Sequence, residues 1–153
     1  GLTDANFFQY VFGTTMQNAQ TMATNSGTYY NNSVSGGDYS QTLNGKQGVV
    51  IYINQANATL IGQGVTIGSA TNPVTIIATG NLTIDNGVKL TGMVYSQGTM
   101  TLAGGAKIDG AVASANSINF SNGIKLTYVA VPKLAGGSST GSYSKVTGSW
   151  RDF

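Results

Sequence analysis

Lys89, Lys107 and Lys125 stand at one repeated interval of 18 residues, and no other set comes nearer to a chemical site by type and spacing. A row of ammonium groups at a fixed interval offers a binding stripe to an anionic surface such as a polysaccharide, a lipid head group or DNA. The same row also serves as a solvated face that keeps a weakly charged protein in solution. At about 5 Å in water, neighbouring unit charges repel by roughly 0.8 kcal/mol, and flexible lysine stems splay to reduce this. Asp109 follows Lys107 by two residues, on the same side of an extended chain, where it offsets part of the repulsion.

Other chemistries lack their parts. The chain has no His, no Cys and no Glu. A nucleophile needs an adjacent base, so His- and Cys-dependent dyads and triads are excluded. A Ser–Lys pair stays formally open, but the lysines sit at outward positions of the pattern. Glycoside hydrolysis needs two carboxylates about 5 to 9.5 Å apart. The repeat region offers Asp85 and Asp109, which occupy different positions of the repeat. Zinc takes Cys, His or several carboxylates, and calcium takes clustered oxygens; neither pattern is present. Gly62-Gln63-Gly64 opens a Gly-rich turn without the rest of a dinucleotide fingerprint. The expectation is a non-enzyme with no cofactor and no metal. A net charge of +2 is too small for a nucleic-acid footprint, so no nucleic-acid partner is expected. Asn57-Ala58-Thr59, Asn81-Leu82-Thr83 and Asn119-Phe120-Ser121 match the glycosylation sequon, but read better as corner residues.

The elements that would position the lysines come from an internal repeat. NLTIDNGVKLTGMVYSQG from Asn81, TMTLAGGAKIDGAVASAN from Thr99 and SINFSNGIKLTYVAV from Ser117 align without gaps. Their columns are coherent: Leu82, Met100, Ile118; Ile84, Leu102, Phe120; Gly87, Gly105, Gly123; Leu90, Ile108, Leu126; Val94, Val112, Ala130. A looser copy precedes them, with Ala58-Thr59-Leu60, then Val65-Thr66-Ile67 after a one-residue insertion, then Val74 to Ala78. Val49 to Ile53 looks like part of one more. Each unit has short runs with inward residues two apart, as in strands, separated by Gly or Asn corners.

These units predict a mainly β chain, a short parallel β-helix with about 18 residues per coil. One coil cannot bury its face alone, so neighbours stabilise one another. An antiparallel sandwich is the alternative, though it does not require gap-free columns. Apolar residues also recur every six positions, as in left-handed hexapeptide helices. Paired inward aliphatics in most strands favour a right-handed coil.

Residues 3 to 24 carry the helix signal. Thr3 or Asp4 can cap it, and Phe7, Phe8, Val11, Phe12, Met16, Ala19, Met22 and Ala23 form an apolar stripe. Gly13 can split it in two. The stripe, with Phe7, Phe8 and Phe12, reads either as a face for a partner or as a cap over one end of the coils, where unpaired strand edges would otherwise grow. Residues 1–48 are therefore predicted as helix and loop cap, 49–133 as β-helix repeats, and 134–153 as a flexible linker and docked tail in one domain. Trp150, the only Trp, would anchor that tail.

Charged residues make up 8% of the chain, against about 25% in typical soluble domains. Gly, Thr, Ser and Asn replace them, a surface associated with secreted and cell-surface β proteins. The sequence opens at Gly1 without an initiator Met or signal peptide, and reads as a mature fragment with any membrane-bound part removed. No stretch approaches the roughly 18 apolar residues of a membrane span.

The opening DANFFQYVFG (Asp4 to Gly13), the 18-residue repeats and the closing Gly148-Ser149-Trp150-Arg151-Asp152-Phe153 together resemble the soluble region of PilX-type type IV pilus assembly proteins. That resemblance implies a minor pilin-like structural protein, with an N-terminal hydrophobic helix that this sequence lacks. It implies partners among other minor pilins and the assembly platform, and a place in the inner membrane, periplasm or pilus surface of a bacterium. It carries over no catalytic residue. Two further classes are a bactofilin-like polymerising scaffold and a surface adhesin or carbohydrate-binding module, for which Tyr29, Tyr30, Tyr39, Tyr95 and Tyr143 would supply exposed stacking rings.

Overall fold

A computed structural model of the chain describes residues 3–121 and 123–128. The helix signal resolves into α1 (Asp4–Phe12) and α2 (Met16–Asn25). The Thr3 and Thr15 hydroxyls accept from the N–H groups of Asn6 and Asn18 at 3.2 and 3.1 Å, satisfying otherwise orphaned donors. The Gly13 N–H donates to Gln9 O at 2.8 Å and closes α1.

The remainder is mainly strand: β1 (Tyr29–Asn31), a short helix α3 (Ser40–Leu43), β2 (Val50–Asn54), β3 (Asn57–Ile61), β4 (Thr66–Ile67) and β5 (Val74–Ala78). There follow β6 (Asn81–Asp85), β7 (Lys89–Ser96), β8 (Met100–Leu102), β9 (Lys107–Ser114), β10 (Ile118–Phe120) and β11 (Lys125–Tyr128). One sheet runs β1-β2-β5-β7-β9-β11, with β4 also on β7; the other runs β3-β6-β8-β10. Every strand pair is parallel, and neither sheet closes on itself.

The sequence columns are the hydrogen-bond register. Leu82 pairs with Met100 and Met100 with Ile118. Leu90 pairs with Ile108 and Ile108 with Leu126. The looser copy lands as aligned, with Ala58 on Leu82, Ile67 on Leu90 and Val74 on Gly92. From β5 onward the chain passes alternately between the sheets, so the inward side chains of both meet in one core. Leu60, Leu82, Ile84, Met100 and Leu102 face Ile76, Leu90, Val94 and Ile108 there.

Two kinds of glycine make the passes possible. Gly87 and Gly105 start the turn into β7 and β9 at φ 80° and 79°, a left-handed conformation costly for other residues. Gly92 and Gly110 lie on top of one another inside β7 and β9. A Cβ on Gly110 would sit 1.8 Å from Gly92 O, and one on Gly92 would sit 1.9 Å from Val74 O. No side chain fits at this corner.

The helices do not cap an end of the strand stack. They lie along a flank, where Phe8, Val11, Phe12, Ala19 and Ala23 pack on outward residues of β2, β5, β7 and β9: Val50, Tyr52, Ile77, Met93, Tyr95, Ala111 and Ala113. The physical reason is that these strands are apolar on both faces, so a second layer must cover the outer one. Met22, placed in the predicted stripe, is exposed. The β2–β4 end is instead covered by the segment before it. β1 pairs with β2, the Tyr39 N–H donates to Thr59 O at 2.9 Å, and the Gly45 N–H donates to Thr66 O at 2.8 Å. Tyr39 and Leu43 fill the core below. The predicted linker, tail and Trp150 lie outside the described residues.

Candidate functional site

The structure brings the three lysines together. Lys89 is opposite Lys107 and Lys107 opposite Lys125 in adjacent parallel strands, at a spacing of about 4.8 Å. Each precedes an inward residue, Leu90, Ile108 or Leu126, and so points out. Lys89 and Lys125 are exposed and Lys107 is half-buried between them. Thr66 takes the same position beside Lys89 and ends the row towards β4. Two residues on, Thr91, Asp109 and Thr127 form the neighbouring column, so among the described residues that column sets one carboxylate beside the three ammonium groups. Asp85 pairs with Ile61 in the other sheet, in a different column from Asp109. Among the described residues, no cluster of three or more His, Cys, Asp or Glu could hold a metal ion. No helix there is long and apolar enough to cross a membrane.

The aromatic residues are a different matter. Phe8 and Phe12 stack at 4.4 Å, and both meet the ring of Tyr95 edge-on. Phe7 reaches the same ring at 6.2 Å. Phe8 and Phe12 are buried and Phe7 half-buried, so this face is spent on holding the helices to the sheet. The tyrosines expected as exposed stacking rings are also displaced from that role. Tyr39 and Tyr95 are fully buried, Tyr39 donating its hydroxyl to Gln55 Oε1. Tyr29 and Tyr30 are half-buried, tilted against Tyr52 and Tyr39. Burial pushes the Tyr30 and Tyr52 phenols up, with the neighbouring Tyr39 and Tyr29 adding to it. Tyr143 lies outside the described residues.

The outer face of the second sheet escaped the reading of single motifs. Asn57 and Asn81 stack with a side-chain hydrogen bond of 3.0 Å. Asn81 Oδ1 accepts the Thr99 N–H at 2.9 Å, and Thr99 lies 3.2 Å from Ser117 by their hydroxyls. Beside this self-satisfied ladder, Thr59, Thr83 and Thr101 form a second column. The signal was present as polar residues at the outward positions of each copy's first strand. Compared with family models, with curated proteins and with solved structures, the chain matches none of them.

Proposed function

We propose that the chain is a right-handed parallel β-solenoid that serves as a structural part of a bacterial type IV pilus system, in the manner of a minor pilin. The observation that carries this is the register: Leu82, Met100 and Ile118, and Leu90, Ile108 and Leu126, are stacked core columns rather than the lining of a cleft. Such a stack works as a rigid spacer or display surface. The combination of opening segment, repeats and Trp-Arg-Asp-Phe ending supports the pilus setting. In this reading the domain acts outside the cytoplasm without catalysis, contacting other minor pilins and the assembly platform. Its membrane attachment comes from an N-terminal helix upstream of this sequence.

Deletion of the full-length gene in its host tests the reading, with surface pili counted and twitching motility scored. Loss of pili restored by the intact gene is the expected result; normal piliation and motility would sink it. A second reading, a surface adhesin for carbohydrate, draws on the Asn57–Asn81 and Thr59–Thr83–Thr101 columns, which set amides and hydroxyls in rows along the sheet. Glycan-array binding that disappears on replacing Thr83 and Thr101 by Val would move the assignment there.

A further inference from the structure

The two ends of the strand stack are finished differently. At the β2–β4 end, Tyr39 and Leu43 are fully buried over the core. At the β10–β11 end, Phe120, Leu126 and Tyr128 are 57%, 41% and 42% exposed. Phe120 stands over Leu102, and Leu126 over Ile108, two residues with no exposed surface at all. The columns of Leu102 and Ile108 therefore end in the partly exposed side chains of Phe120 and Leu126, on two strands whose outer edges have no partner strand among the described residues. Such an edge invites pairing with another chain.

We propose that this edge is the docking surface for the chain's own C-terminal segment, residues 129–153, with Trp150 as the apolar anchor. One more repeat cannot do the covering. In the 18-residue register, Gly136 and Ser138 would fall over Ile118 and Phe120, and Ser142 and Ser144 over Ile124 and Leu126. Tyr128 also occupies the column of Gly92 and Gly110, where a Cβ meets the backbone below, so the tight corner ends with Gly110. The apolar residues after Gly137, namely Tyr143, Val146, Trp150 and Phe153, fall outside the inward columns. They suit a non-repetitive cover, like the one that Tyr39 and Leu43 provide at the other end. The segment begins directly after Tyr128, and at about 3.3 Å per extended residue it reaches any point of the edge.

Trp150 is the only Trp, so the intact chain reports on itself. Its fluorescence is expected to be blue-shifted and several-fold less quenched by acrylamide than that of a free tryptophan peptide. Both properties are expected to hold at every protein concentration with a monomer mass by light scattering. Replacing Phe120 and Leu126 by Ser, at sites already exposed, is expected to red-shift the emission while the far-ultraviolet circular dichroism persists. Exposed-tryptophan emission in the unmodified chain overturns the proposal, with no variant needed. A blue shift that grows with dimerisation gives the edge to a second copy and overturns it too. So does protected emission that ignores the two serines in a folded variant.

Discussion

Phe12 meets Tyr95 edge-on, with ring centroids 5.6 Å apart and planes at 87°. This contact joins the helical layer to the middle of the larger sheet. Phe8 repeats it at 5.1 Å and 77°, geometry that favours the ring quadrupoles beyond simple burial. Replacing Phe8 by Ala is expected to cost about 3–5 kcal/mol, the usual range for a fully buried Phe. Amides of α1 and α2 should lose hydrogen-exchange protection before those of β6 and β8, which sit in the other sheet. A loss below about 1 kcal/mol in urea unfolding would show that the helices do not depend on this cluster.

Gly105 and Gly110 separate two reasons for being glycine. At Gly105, φ is 79° and a Cβ would meet nothing nearer than Gly123 O at 4.0 Å. Gly105→Ala is therefore expected to cost only the left-handed strain, about 1–2 kcal/mol. At Gly110 a Cβ would sit 1.8 Å from a backbone oxygen that cannot rotate away. Gly110→Ala must separate β9 from β7, and a much larger loss is expected. Equal melting temperatures for the two variants would mean that the stacked corner is wrong.

Lys107 and Ile108 are neighbours in sequence with opposite surroundings. Ile108 is fully buried in the shared core, and an Asp there would be a buried charge without a partner. Ile108→Asp should abolish the cooperative melt. Lys107→Gln removes the central charge of the row and is expected to stay within about 0.5 kcal/mol of the parent, because its side chain points out of the sheet and its removal also relieves repulsion by Lys89 and Lys125. If Ile108→Asp melts like the parent, the core columns are misassigned.

The repeat was legible because its period shows twice, in inward aliphatics and in glycines. The column of Leu90, Ile108 and Leu126 runs three residues after that of Gly87, Gly105 and Gly123, and both give the register seen in the strand pairs. The lysine row followed from that register without further information. The position of the helices did not, because an amphipathic stripe says that a face is buried and not what buries it. A clue lay in Val74 to Ala78 and Gly92 to Ser96, each buried along its whole length, where period-two alternation fails. The tyrosines were misjudged for a related reason: a Tyr in a Gly- and Asn-rich segment resembles a surface residue until its neighbours are placed. Tyr39 is buried because the irregular segment before β2 folds over the end of the core.

The tyrosines also set an alkaline limit. Burial, and then the neighbouring Tyr39 and Tyr29, raise the phenols of Tyr30 and Tyr52 above the ordinary value of 10.0. Below that value both folded and unfolded chains are protonated, and the stabilising contribution is fully present. As pH rises past about 10, the unfolded chain ionises first, so stability falls and goes on falling through the folded pKa values. The urea midpoint should thus be level from about pH 7 to 9 and decline above about pH 10. The Tyr30→Phe, Tyr52→Phe double variant should decline less steeply over the same window, since the remaining phenols and the lysines are common to both chains. Identical slopes for parent and variant would show that these two rings ionise as freely in the folded chain as in the unfolded one.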